Sequence, residues 1–414
     1  MTPRNYKASG AVLSASNAGE KPAALLNAAA VRERCEIVFA AVARGEGRYF
    51  AIDLARLGEV AERVAAITRR RYPDLAVPYH SRWRHFSVGG VDRAALVAAK
   101  GDDAERARAR IDLAVVSVLL DAGAGRGWCY DEAETGQVWG RSEGLAVASL
   151  RAMQQGLFST DPTETWRADA AALARVTPDR LAAAFQHRPE NPLLGLDSRA
   201  ALLRRLGRVL AADPARFGAP ARPGNLYDYW RAHRGEISAD GMLQTLLRAL
   251  GPIWPARASL AGVPLGDCGR HSSVPDDGFV PFHKLSQWLV YSLIEPLETG
   301  GVPVTGIDEL TGLAEYRNGG LFLDCGVIGP RDRSLLSHPL DPFSEPVVEW
   351  RALTVALLDR LAPEVRARLG KPAALFPLAC VLEGGSWAAG REIAFEHRRD
   401  GSAPITIVSD GTLF

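Results

Sequence analysis

Apolar positions recur at three- and four-residue spacing along most of the chain, the period of a helix with one buried face. The pattern predicts a helix over 27–43. Asp53 caps a second, which runs to about Arg71 and closes at Tyr72-Pro73. Residues 101–122 form a third, with Leu113–Leu120 as its buried stretch and Ala122-Gly123 as a left-handed glycine stop. Ser142 is the expected cap of a helix through Gln155, and shorter helices fit 164–174, 177–187, 197–212, 226–234 and 238–250. Residues 125–141 look irregular, and 251–280, dense in Gly, Pro, Asp and Ser, reads as a long loop of the kind that carries function. Helices return at 282–298, 308–325 and 344–369. Near the end, ITIV and EIAFEH read as two paired strands. The expected fold is therefore mainly α. A helical body over 25–370, undivided or in two lobes split near 160–220, follows a flexible tail over 1–24 and precedes a small β-hairpin extension over 371–414.

Composition narrows the class. The 414 residues are 47% hydrophobic and 23% charged, which excludes a largely disordered chain, a coiled-coil rod and a collagen-like fibre. Lys+Arg number 49 against 48 Asp+Glu, so the basic excess of a protein that grips many phosphates is missing and nucleic acid is not an expected partner. Five scattered cysteines with no CxxC spacing read as reduced thiols in a cytoplasm rather than as disulfides or zinc ligands. The polar N-terminus has no signal-like apolar stretch, and the longest apolar run, Leu113–Leu120, is far short of the roughly 20 residues of a membrane span. A cytoplasmic protein with no membrane contact is expected.

Four segments carry candidate chemistry. In AGAGRG, Gly123, Gly125 and Gly127 follow a helix rather than a strand, which favours a helix-stop turn over a nucleotide cradle. Residues 69–86 interleave Arg82, Arg84, His80 and His85 with Tyr79, Trp83 and Phe86, a composition suited to a phosphate beside an apolar group. The alternatives are a packed loop after an exposed Arg69–Arg71 helix end, or two histidines binding a metal without a telling third ligand. In 281–298, Lys284, Gln287, Tyr291 and Glu295 share one face of a mostly apolar helix, so Lys284 either snorkels or meets an anion. In 310–329, Glu315, Tyr316, Arg317 and Asn318 form a polar cluster inside an apolar segment, and Gly319-Gly320 permits close approach by a backbone or ligand. Two further sets, more often structural than catalytic, are Arg141–Ser149, a possible capping or anion site at a helix start, and Ser344–Ala352 with its Glu345, Glu349, Arg351 group.

The runs SRWRHFSVGGVDR, LLDAGAG, RSEGLAVAS, NPLLGLDSRAALL, VPFHKLSQWLVYSLIEPLE, LTGLAEYRNGGLF and SDGTLF together resemble the uracil catabolism protein four family, also called Urg-three, from about Leu25 to Phe414. That resemblance implies a role in uracil breakdown through a ring-opened ribosylurea-type intermediate. The runs Phe282–Gln287 and Glu315-Tyr316-Arg317 are more distantly similar to queuosine phosphate N-glycosylases, with Glu315 in place of an Asp, His283 of a Tyr and Leu285 of an Arg. This second likeness implies a helical fold related to helix-hairpin-helix DNA glycosylases, and an enzyme that hydrolyses the N-ribosyl bond of a phosphorylated ribosyl substrate, releasing urea. Glu315 and Lys284 would be catalytic, with Lys284 holding Glu315 ionised. Arg82, Arg84 and His85 would anchor phosphate with Arg317 in reserve. Gln287 and Asn318 would read the urea, and Tyr316 would contact substrate. No metal or cofactor is required. An amidohydrolase acting on the ureido carbonyl and a non-enzymatic regulator of uracil degradation are the alternatives.

Overall fold

The structure, a computed structural model, describes residues 22–97, 101–125, 127–233, 236–254 and 258–408. The expected N-terminal tail lies almost entirely outside them. The fold is mainly helical. In chain order its main elements are α1 (Ala28–Ala43), β1 (Phe50–Ile52), α2 (Leu57–Arg71), α3 (Arg82–Phe86), α4 (Asp103–Leu119), β2 (Cys129–Glu132), β3 (Gln137–Gly140), α5 (Arg141–Gln154), α6 (Leu196–Ala212), α7 (Ala239–Leu250), β4 (Cys268–Arg270), β5 (Phe279–Pro281), α8 (Lys284–Thr299), α9 (Tyr316–Asp324), β6 (Ile328–Pro330), α10 (Glu345–Leu369) and α11 (Trp387–His397). β1 pairs antiparallel with β6, β2 with β3 and β4 with β5. Among the described residues, no helix is long and apolar enough to cross a membrane.

α8 and α4 are buried on most of their surfaces and pack against each other at the centre. Around them, α10 packs on α1 and α2, and α9 on α11. A small second apolar cluster joins Val31, Cys35 and Val38 of α1 to Phe282, Ala314 and Val348. Phe282 lies two residues before Lys284 at the start of α8, and Ala314 one residue before Glu315, the cap of α9. The β2–β3 hairpin is fixed to α5 by a fully buried Glu132, which accepts from Arg93 Nε at 2.7 Å and from Arg151 Nη2 at 2.6 Å.

Four local expectations are corrected. The EIAFEH segment belongs to α11: Ala389, Gly390, Ile393 and Ala394 are its buried positions, a helical stripe rather than an alternating one. Ile407 makes one isolated parallel bridge to Leu340, so no C-terminal β-hairpin forms within the described residues, and SDGTLF lies outside them. The stop after α4 is not a glycine cap. The Arg199 guanidinium instead takes the carbonyls of Leu120, Ala122 and Gly123. The segment 125–141 holds the β2–β3 hairpin, and the 251–280 loop holds β4 and the start of β5.

α11 approaches α9 so closely that a Cβ on Gly390 would sit 2.1 Å from the Arg317 carbonyl oxygen. Gly390→Ala must separate the two helices and is expected to lower stability by about 1–3 kcal/mol in urea unfolding. Gly329→Ala, where a Cβ meets nothing within 4 Å, is expected to stay within about 0.5 kcal/mol of the parent.

Candidate active site

Two helix starts face one cavity. Lys284 is the first residue of α8, and its N–H donates to Asp267 Oδ2 at 3.0 Å. The preceding His283 is in the left-handed region (φ 48), held there by a hydrogen bond from Nε2 to the Leu25 carbonyl at 2.8 Å. Glu315 is not inside a helix, as the apolar period suggested, but caps α9. Its Oε2 accepts the Arg317 N–H at 2.7 Å and its Oε1 the Asn318 N–H at 2.6 Å. Arg351 of α10 spans both starts. It grips Asp267 through two bonds of 2.7 and 2.8 Å, lies 4.0 Å from the centre of the Phe282 ring, and donates from Nε to the Ala314 carbonyl at 3.3 Å.

The cavity between them has a volume of about 350 Å³, in the range of small-molecule sites. Of the residues singled out in the sequence, Lys284, Glu315, Tyr316, Arg317 and His85 line it. The Lys284 side chain has no hydrogen-bond or ion-pair partner among the described residues. One wall is aromatic: the His85 ring lies 5.7 Å from Trp288 and 6.3 Å from Trp387, and Trp288 Nε1 is buried without a partner among the described residues. The closing segment is 401–407, tied in where Arg317 Nη1 donates to the Gly401 carbonyl at 2.9 Å.

Burial raises the Glu315 pKa. The two backbone N–H groups, Lys284 and Arg317 act the other way, and burial wins. Lys284 thus favours the ionised form as expected but does not alone decide it. A carboxylate with a raised pKa is a better proton acceptor than an exposed one. Nε of Arg317 and Nη1 of Arg141 are buried without a partner among the described residues. Neither arginine is ion-paired among the described residues. Arg141 holds φ 54, a strained value for a side-chain-bearing residue, at the start of α5. Burial, followed by the neighbouring Arg317, lowers its pKa. Each donates to one backbone carbonyl, Arg141 to Asp400 and Arg317 to Gly401, and two guanidinium groups without a carboxylate partner among the described residues form a pole for an anion.

Four predicted ligands lie elsewhere. Arg82 is fully buried behind the wall, where it donates to Asp121 Oδ1 at 2.8 Å and Ser117 Oγ at 2.7 Å. Arg84 is held by Glu295 at 2.6 Å. Gln287 donates to Thr311 Oγ1 and the Phe282 carbonyl, and Asn318 Oδ1 accepts from Ser386 Oγ at 2.9 Å, so both amides are structural. Gly319 and Gly320 admit Trp350 and Pro404 rather than a ligand. Sequence reasoning missed Asp121, Trp288 and Trp387 as lining residues, and gave Arg141 only as a possible anion site. LLDAGAG and the aromatic spacing of α8 were the available signals.

A larger, shallow depression of about 800 Å³ lies beside Arg108, Arg216 and Arg222, but each of these is paired with a carboxylate, and none of the predicted residues lines it. Among the described residues, no three His, Cys, Asp or Glu side chains are grouped to hold a metal ion.

A family model described as protein of unknown function, DUF1688, matches residues 24–414. The chain is 41% identical over 414 residues to Protein urg3 of Schizosaccharomyces pombe, a match that covers 95% of this chain and 99% of the relative. It is 38% identical over 427 residues to Uracil catabolism protein 4 of Lachancea kluyveri, covering 93% and 97%.

Burial, followed by the Arg82 cation, pushes the His85 pKa down to about 4, against smaller opposite effects of Asp121 and Glu143. The unfolded chain therefore binds this proton more readily than the native one, and stability falls as pH drops from about 6.5 towards 4. Between pH 7 and 4.5 the parent is expected to lose roughly 2 kcal/mol more than His85→Gln in urea unfolding. Equal losses would show that His85 is not held neutral.

Proposed function

The chain belongs to the DUF1688 family, and on that premise we propose that it acts in uracil degradation as a hydrolase of the N-ribosyl bond of a ribosylurea phosphate, releasing urea. The name of the Lachancea kluyveri relative supports the pathway. The observation that carries the reaction is that Lys284 and Glu315, 31 positions apart in sequence, line one cavity with two arginines that have no carboxylate partner among the described residues. The relation of the helical body to helix-hairpin-helix DNA glycosylases is part of the same proposal.

Breaking a ribosyl–nitrogen bond builds positive charge at the anomeric carbon. Glu315 is held by two backbone N–H groups, so its carboxylate has little freedom to turn. It stabilises that charge and takes a proton from the attacking water as the new carbon–oxygen bond forms. The Lys284 ammonium steers Glu315 and binds a sugar hydroxyl. The phosphate sits between Arg141 and Arg317 in place of Arg82 and Arg84, whose charges are already met by carboxylates. His85, kept neutral, offers a hydrogen bond without competing for the phosphate.

Purified protein mixed with synthetic N-ribosylurea phosphate is expected to release urea and ribose phosphate. Glu315→Gln should lower kcat by on the order of 10³-fold, with folding checked by urea unfolding, and Lys284→Met by on the order of 10²-fold. Arg141→Met should act mainly on KM and should lose its effect on the substrate without phosphate. Ammonia in place of urea would favour an amidohydrolase. Neither product from folded protein would sink the hydrolase reading.

A further inference from the structure

The cavity contains a second histidine, His80, whose surroundings differ from those of His85. His80 Nδ1 lies 2.9 Å from Glu383 Oε2, and because a carboxylate only accepts, Nδ1 is the donor. Glu383 is buried and heavily held. Its Oε1 accepts from Arg71 Nη2 and from the Tyr72 hydroxyl, both at 2.9 Å. Burial raises its pKa, but the His80 hydrogen bond and charge, with Arg71 and Tyr72, outweigh burial and leave it below the ordinary carboxylate range. Glu383 therefore stays ionised and can stabilise an imidazolium at His80.

The backbone is built around this pair. Glu383 belongs to one turn of π-helix, Leu382–Ser386, a wide turn often found at functional sites. That turn is pressed onto α2 so closely that a Cβ on Gly385 would meet the Val64 carbonyl oxygen at 2.4 Å. The His80 N–H is fixed to the Ala379 carbonyl at 3.1 Å. With Nδ1 committed to Glu383, Nε2 is the nitrogen available to the cavity, and it has no partner among the described residues. His85 is the reverse case. Its Nδ1 faces Arg82 Nη1 at 3.5 Å, a pure donor, so its Nε2 carries hydrogen, and among the described residues no carboxylate is hydrogen-bonded to the ring. Trp288 and Trp387 lie 6.3 and 6.5 Å from the His80 ring and keep the pair in an apolar setting.

We propose that His80 is the proton donor to the departing nitrogen, with Glu383 as its positioning residue. This rests on the hydrolase reading above. The carbon–nitrogen electron pair passes to nitrogen, which takes the Nε2 proton of the His80 imidazolium. Water oxygen bonds to the anomeric carbon, and its proton goes to the Glu315 carboxylate. The products are urea and ribose phosphate, and the proton on Glu315 returns to His80 through solvent. The arrangement is that of a histidine oriented by a buried acid, here serving a leaving group.

The test uses two substrates: N-ribosylurea phosphate, whose leaving nitrogen needs a proton, and 4-nitrophenyl ribofuranoside 5-phosphate, whose phenolate leaves without one. His80→Gln is expected to lose on the order of 10²-fold or more on the first and to stay within about fivefold of the parent on the second. Glu383→Gln should show the same selectivity with a smaller loss, and Tyr72→Phe a smaller one again. Equal losses on both substrates would overturn the assignment of His80 while leaving the hydrolase reading intact, whereas a parent protein inactive on both would remove the hydrolase reading itself. Nitrogen-15 NMR of the unmutated protein provides a readout that needs no substrate or variant: neutral His80 is expected as the Nδ1–H tautomer, and an Nε2–H tautomer would overturn the dyad.

Discussion

The arrangement of the cavity depends on the buried ion pair between Arg351 and Asp267. A planar guanidinium meets a carboxylate through two bonds while a third N–H reaches the Ala314 carbonyl. Asp267 in turn receives the N–H of Lys284, and Ala314 precedes Glu315. One side chain of α10 therefore sets the relative position of two helix starts that are distant in sequence. A lysine could not replace it, because a point charge lacks the fixed fork that satisfies three acceptors at once. Removing either partner would leave an uncompensated buried charge at the point where both helices begin.

The same economy of charge separates framework from site. Arginine carries most of the positive charge, and only five of the 49 basic residues are lysines. Most buried arginines are committed: Arg82 to Asp121, Arg93 and Arg151 to Glu132, Arg222 to Asp112. Arg199 closes the end of α4 by taking backbone carbonyls. Against that background, Arg141, Arg317 and Lys284 stand out because the described residues offer them no carboxylate partner, and all three line one cavity. An unpaired cation in a partly dry site interacts strongly with an incoming anion. Two histidines complete the pattern. The acid beside His80 and the cation beside His85 give chemically identical rings opposite hydrogen-bonding partners.

Local physics made much of this legible in advance. The long helices follow from apolar spacing, and α6, α7 and α8 begin and end within about two residues of the expected limits. Lys284 and Glu315 drew attention because each is a charged residue in an apolar stretch. The misreadings have equally local causes. EIAFEH alternates well enough to pass for a strand, and a short segment of that kind cannot be told from a helix by its period. The apolar spacing over 308–325 puts Glu315 inside a helix, glutamate is not a usual cap residue, and only the two backbone N–H groups that donate to it reveal its capping role.

By itself, the sequence determined the helical character of the chain, the location of its main helices, and which polar residues lie in apolar surroundings, because these depend on neighbours within one or two turns. The tertiary structure decided which charges are free. Arg82 and Arg84 have the local setting of ligands, but Asp121 and Glu295, 39 and 211 residues away, hold them. His80 became distinct from His85 only because Glu383, 303 residues on, meets one ring and not the other. The strength of a hydrogen bond or ion pair is set by distances of about 3 Å between groups far apart in sequence, and no local period encodes them.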